Sequence, residues 1–342
     1  MKRTLHTVLA AAAIFGISAL SACDSAIFDN EGDCSVHYQV PFAYTKNIIQ
    51  ADAFASQVSK VTLLVFDKNG NLVLWKTESG DAVKRTGYKM DVELTPGTYD
   101  MLAWCEGASP MDMHTAFAIG DGTRPADFDA HLPLQEKDAA VYSDKDIVPL
   151  FHGMSTGVVC GKGDYGYIDL PLIDLTKDTN VIKVLLENLD GREMKESDFS
   201  IRITADNSEM NYLNEVVGEK AFEYRPWSLS RVSSERDEAR ASSTTVSGLF
   251  AECTMGRLMT DRKPMLIVTR CEDGKDIIKL DLVSALLMVK GNYHGSFSNQ
   301  QYLDRMDEHV LSFYIDDSLN WYTANGILIN GWAVVPPQYE EF

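Results

Sequence analysis

From Val36 onward the apolar positions recur at period two. Val36, Tyr38, Val40 and Phe42 share one face, which predicts a half-buried strand over 35–44 with a proline near its end. Next, VTLLVFDKNGNLVLW (61–75) sets two β-rich runs on either side of Asn69-Gly70. That dipeptide tolerates the positive φ angles of a tight turn, so the segment reads as a hairpin. YKMDVELTPGTYDMLAWC (88–105) repeats the design around Pro96-Gly97. From Glu106 to Asp146 the strand pattern weakens, and AFAIGDGTRPADF (116–128) predicts a loop with one helical turn. The strand-like PLFHGMSTGVVC (149–160) and YGYIDLPLIDL (165–175) follow, and the polar run TKDTN (176–180) then separates two apolar segments.

The second half starts over. NVIKVLLENL (180–189) predicts a buried strand, and FSIRITADNSEMNYLN (199–214) carries turn chemistry at Asp206-Asn207. The low-hydrophobicity SRVSSERDEARASSTT (230–245) reads as a surface loop. MLIVTRCEDGKDIIKLDLV (265–283) is another hairpin, turning at Asp273-Gly274, and HVLSFYID (309–316) and ANGILINGWAVV (324–335) are further strands. Helical periodicity is convincing only in LVSALLMVK (282–290). The pattern therefore predicts an all-β protein of two sandwich domains in tandem, 34–176 and 177–342.

The first residues have a different design. Lys2 and Arg3 precede an apolar run from Val8 to Leu20 that ends at Leu20-Ser21-Ala22-Cys23. The run is shorter than the roughly 20 residues a spanning helix needs, and its parts are those of an export signal. Small residues before a cysteine resemble a lipobox, so residues 1–22 are expected to be removed and Cys23 to be acylated. Buried acyl chains hold at about 0.8 kcal/mol per CH₂. Residues 23–33 read as a solvated tether whose Asp24, Asp29, Glu31 and Asp33 resemble the export tags of surface lipoproteins.

Charge narrows the partners. The chain holds 31 Lys and Arg against 50 Asp and Glu; losing residues 1–22 removes Lys2 and Arg3 and no acid, taking the net charge from −19 to −21. Phosphate backbones need a basic footprint, so nucleic acid is excluded as a partner. Five cysteines follow Cys23, and an exported protein can keep disulfides. The expected bridges are Cys34 with Cys105 and Cys253 with Cys271, leaving Cys160 unpaired, although connectivity cannot be derived from sequence.

No candidate metal or cofactor site emerges. Asp67, Asn69 and Asn71 open like a calcium loop, but Leu72 stands where glycine is needed. The histidines are scattered, and no CxxC, HExxH, GxSxG, P-loop or GxGxxG occurs. A non-enzymatic protein without a small-molecule substrate is the expectation. The many carboxylates leave a surface glycoside hydrolase as a minor alternative.

The C-terminal stretch YLDRMDEHVLSFYIDD…NW…ILINGWAVV (302–335) resembles the end of FimB-type fimbrial anchor lipoproteins of Bacteroidota, and VTLLVFDKNGNLV and LTPGTYDMLAWC agree with their first domain. The resemblance implies two transthyretin-like Greek-key sandwiches, an outer-membrane location facing the exterior, and fimbrial stalk subunits as partners. In that class a protease with a preference for Arg removes the first strand of each stalk subunit, and the open groove accepts a neighbour's strand. Between the export signal and Arg85 this chain has no arginine; Lys46, Lys60, Lys68, Lys76 and Lys84 are its only Lys or Arg residues there. Its groove is therefore expected to stay closed by its own first strand, so that growth ends at it. The last strand, Ile327 to Val335, with Ile327, Ile329, Trp332 and Val334, is the candidate stalk contact or donor, against the alternative of an ordinary core strand. A tip or accessory adhesin that binds glycan or a host protein is the competing role.

Overall fold

The computed structural model describes residues 36–108, 114–161, 166–188, 192–236 and 244–335. The export signal, Cys23, the tether and Cys34 lie outside them. The described chain is predominantly β, arranged in several sheets. Among the described residues no helix is long and apolar enough to cross a membrane.

In the first half, β1 (Val36–Ala43), β2 (Lys60–Asp67), β3 (Leu72–Ser79), β4 (Lys89–Val92) and β5 (Gly97–Glu106) form as the alternation requires. The hairpin of β2 and β3 closes where expected: Gly70 takes φ 74°, and the Asp67 carboxylate accepts from the backbone N–H of Asn69 and Asn71 at 2.8 and 2.9 Å. Asp67 therefore serves its own turn. A five-stranded sheet runs in the order Thr176–Lys177, Leu150–Cys160, β5, β2, β3.

The expected hairpin about Pro96-Gly97 does not form. β4 pairs with β1 and β5 pairs with β2, so this corner carries the chain from one sheet to the other. The Tyr99 hydroxyl donates back to the Thr95 carbonyl at 2.8 Å and fixes the corner. The two sheets close on one core, with Tyr38, Val40 and Met90 from one side and Val61, Leu63 and Met101 from the other.

The outer face of the five-stranded sheet is also buried. Leu64, Phe66, Leu102 and Trp104 point away from that first core into a second, larger one that they share with the rest of the chain. Burial on both faces explains why VTLLVF and MLAWC are continuous apolar runs instead of alternating ones. Part of the expected loop supplies the cover. It contains the predicted single turn, a 3₁₀ helix at Pro125–Asp127, but Ala130–His131 pairs with Glu209–Met210 and Ala140–Ser143 pairs in parallel with Phe222–Tyr224. The Trp104 indole donates to the Phe128 carbonyl at 2.9 Å and fastens this segment to the sheet.

Two six-stranded sheets, built mainly from the second half, face each other across the larger core. One runs Ser228–Arg236, Thr244–Gly256, Thr179–Asn188, Glu308–Ile315, Ile327–Ile329, Trp332–Val334. The other runs Lys275–Asp281, Met265–Arg270, Phe199–Ala205, Phe222–Tyr224, Ala140–Ser143, Gln135–Lys137. The polar run at 230–245 is largely strand, not loop, because Ser228–Arg236 pairs continuously with Thr244–Glu252. Its composition misleads because it forms a sheet edge where Arg231, Val232 and Ser233 are exposed.

The helix expected in LVSALLMVK is present as Leu282–Leu287, capped by Asp281. A second helix, Asn299–Arg305, went unread although Ser298 and Gln301 form a capping box. Among the described residues Cys253 and Cys271, the second expected pair, are not joined. Cys105 is fully buried and unbonded, and its expected partner Cys34 lies outside the described residues. Cys253 is sealed in the core of one sheet while Cys271 is exposed where Met265–Arg270 turns toward Lys275–Asp281, so the second pair cannot meet. Burial pushes the Cys253 thiol up to about 12 and the Cys105 thiol higher still. Cys160 is buried.

Candidate functional site

β1 occupies a slot between strands from opposite ends of the first half. On one edge it runs antiparallel to β4, with Tyr38 opposite Val92 and Pro41 opposite Lys89. On the other edge it runs parallel, first to Gly166–Asp169 and then to Ile173–Asp174. The parallel register steps by one residue between these partners, and Pro41, which has no N–H to give, falls at that step. Leu170 N–H donates to Gln39 O and Leu175 N–H to Ala43 O, both at 2.8 Å.

Side chains fill the slot from beneath. Tyr38, Val40, Phe42 and Tyr44 are between 0 and 4% exposed. Phe42 stacks at 6.0 Å on Phe54, and Tyr44 meets the Phe151 ring edge-on at 5.2 Å. The Tyr38 hydroxyl donates to the Gly161 carbonyl. Burying a side chain of this size stabilises by about 1.5–3 kcal/mol, so the four contribute on the order of 6–12 kcal/mol before chain entropy. That is comparable with the whole stability of an ordinary domain, about 5–15 kcal/mol. The strand cannot leave this slot without unfolding its surroundings unless another strand takes its place.

Polar groups that sequence reasoning missed hold the strand down. Lys89 on β4 and Asp169 on the parallel side join at 2.6 Å across β1, between the register positions of Pro41 and Gln39. At the exit, the Asp174 carboxylate accepts from Thr45 N–H at 2.9 Å and from its hydroxyl at 2.8 Å. Arg305 donates to the carbonyls of Thr45 and Asn47 at 3.1 and 3.4 Å, which ties the end of β1 to the Asn299–Arg305 helix. Only the register places these residues together, and no motif marks them.

The C-terminal candidate differs from its expectation. Ile327 to Val335 is not one strand but a hairpin of Ile327–Ile329 and Trp332–Val334 about Asn330-Gly331, whose φ angles are 51° and 82°. The same Asn-Gly signal that was read at 69–70 is present here in LINGW. Ile329 lies opposite Trp332 and Ile327 opposite Val334, so the four candidates do gather on one face. Ile327 and Ile329 are fully buried, whereas Trp332 is 47% exposed. Among the described residues, Trp332–Val334 is the edge strand of its sheet.

Two of the histidines, His152 and His309, are packing residues. His152 sits 4.8 Å from the Trp104 ring and His309 is fully buried; burial lowers each pKa to about 4.

Comparison with known proteins agrees with this geometry. The chain is 22% identical over 343 residues to the minor fimbrium anchoring subunit Mfa2 of Porphyromonas gingivalis, covering 98% of this chain and 95% of that protein. A crystal structure of an adhesin candidate from Bacteroides thetaiotaomicron superposes with a TM-score of 0.74 at 28% identity, over 90% of this chain and all of the other. The fimbrial anchor protein Mfa2 from Porphyromonas gingivalis shares the fold, with a TM-score of 0.59 at 19% identity over 87% of this chain and 98% of the other. The profile of the fimbrillin-A associated anchor proteins Mfa1 and Mfa2 matches residues 30–335, and the chain belongs to that family.

Proposed function

We propose that this protein is a non-enzymatic anchor that fixes a surface fimbria to the outer membrane and ends its assembly. Removal of residues 1–22 leaves Cys23 as the lipid-bearing residue, and the acidic tether spaces the body from the outer leaflet. That body is read as two transthyretin-like Greek-key sandwiches, 34–176 and 177–342, with Gln135–Lys137 and Ala140–Ser143 of the first completing a sheet of the second. The carrying observation is β1 itself: a strand bonded on both edges, buried beneath and preceded by no arginine after the signal leaves no groove for an incoming donor. Such a subunit has no vacant groove at β1 for a neighbour's strand, so its contact with the stalk lies elsewhere.

The contact offered to the stalk is the C-terminal hairpin. Trp332 and Val334 present its open edge, to which an extended partner segment adds by main-chain hydrogen bonds, while Ile327 and Ile329 keep it seated in the core. Replacing Cys23 with Ala tests the anchor role. Fimbriae shed into the medium are the expected result, and fimbriae that stay cell-bound would refute it.

One observation favours a second reading, an accessory adhesin. Trp75 and Trp332 are each about half exposed, and the chain resembles the adhesin candidate described above. A tip subunit must leave the membrane, so the same Cys23→Ala experiment separates the two roles.

A further inference from the structure

The chain passes from the five-stranded sheet to the six-stranded one through Asp178, between Thr176–Lys177 and Thr179–Asn188. Its carboxylate is fully buried. Oδ1 accepts from Asn214 Nδ2 at 3.0 Å and lies 3.8 Å from Arg257 Nε. Arg257 is already committed elsewhere, to Asp304 through two bonds of 2.9 Å. Asp178 Oδ2, Asn214 Oδ1 and the Tyr44 hydroxyl are buried and have no hydrogen-bond partner among the described residues.

The groups facing this carboxylate come from both halves. They are Tyr44 and Lys46 just after β1, Asn214, Arg257 after the Thr244–Gly256 strand, and Asp304 on the Asn299–Arg305 helix. Lys46 is itself bonded to the Asp174 carbonyl at 3.0 Å. One guanidinium shared between two carboxylates leaves an acid without its own counter-charge in a closed site. The smallest cation that closes such a site is a proton.

We propose that Asp178 is a proton-operated lock at this crossing: protonated, it seals the seam between the exit of β1 and the second half, and its ionisation admits water there. Burial is the main cause that pushes this carboxyl up to about 7, against the opposing pull of Arg257 and Asn214. The ordinary value is 3.8. The folded state therefore keeps a proton that the unfolded chain has released, so this stabilisation is full below the unfolded value and is lost as pH rises through about 7.

The test compares the whole protein with Asp178→Asn, a neutral variant of the same shape. The ratio of their unfolding constants is expected to change about tenfold per pH unit between pH 5 and 7 and to level off above. Amide exchange of residues 176–181, corrected for its intrinsic pH dependence, is expected to rise above pH 7 in the wild type only. A ratio independent of pH overturns the lock. If the variant does not fold, the wild type still decides: a buried carboxylic-acid infrared band that titrates near pH 7 supports the lock, and the absence of any carboxyl titrating between pH 6 and 8 overturns it.

Discussion

Phe42→Ala is the sharpest probe of the occupied slot. The ring is 4% exposed and lies 6.0 Å from Phe54 and 5.9 Å from Tyr88. Truncating a buried phenylalanine costs about 3–5 kcal/mol, a transfer loss plus the cavity left behind. Each 1.4 kcal/mol is about tenfold, so local opening of the slot should become roughly a hundred- to a thousandfold more frequent, provided that the loss falls on β1 docking. Lys89→Ala is the contrast: the ion pair with Asp169 is about half exposed and its loss should cost less than about 1 kcal/mol. Urea unfolding measures both costs, and capture of a labelled synthetic peptide of residues 36–46 reports slot opening. The peptide should bind the Phe42 variant and not the wild type or the Lys89 variant. A Phe42 variant that unfolds like the wild type, or one that loses stability without ever taking up peptide, would refute the view that β1 is a replaceable occupant of a strand slot.

Other outcomes follow from burial and turn geometry. His152 and His309 have folded pKa values lowered to about 4 against an ordinary 6.5, so each withdraws stability as pH falls from about 6.5 toward 4, by up to ~3 kcal/mol; urea midpoints of His309→Gln should flatten in that window. Gly331→Val forces a β-branched residue to φ 82° and should loosen the C-terminal hairpin by about 1–3 kcal/mol, seen as faster amide exchange at Ile327–Ile329. Of the four cysteines described, Cys271 alone should react with a thiol reagent in the native protein, because Cys105, Cys160 and Cys253 are buried; a second fast-reacting thiol among these four would count against the packing.

Local chemistry was enough to determine much of this protein. Asn69-Gly70 and Asp273-Gly274 mark real hairpins because the positive φ that closes each turn falls on its glycine, 74° at Gly70 and 71° at Gly274. The alternation of Tyr38, Val40 and Phe42 names the buried face of β1, and LVSALL forms its helix. Asn330-Gly331 is an equally local turn signal, and it closes the C-terminal hairpin with both residues at positive φ. What the tertiary structure alone decided is pairing at a distance. Pro96-Gly97 marks a corner, but nothing local says that β4 leaves for β1 while β5 joins β2. The polar strand at 228–236 is held by its partner and not by its composition, and two strands of the 130–143 segment lie against edges that the other half supplies. The candidate site belongs to this second class. Lys89, Asp169, Asp174 and Arg305 act on β1, and Asn214, Arg257 and Asp304 surround Asp178, only after the chain has brought remote residues into contact, and hydrogen bonds and charges at close range have no period along a sequence to betray them.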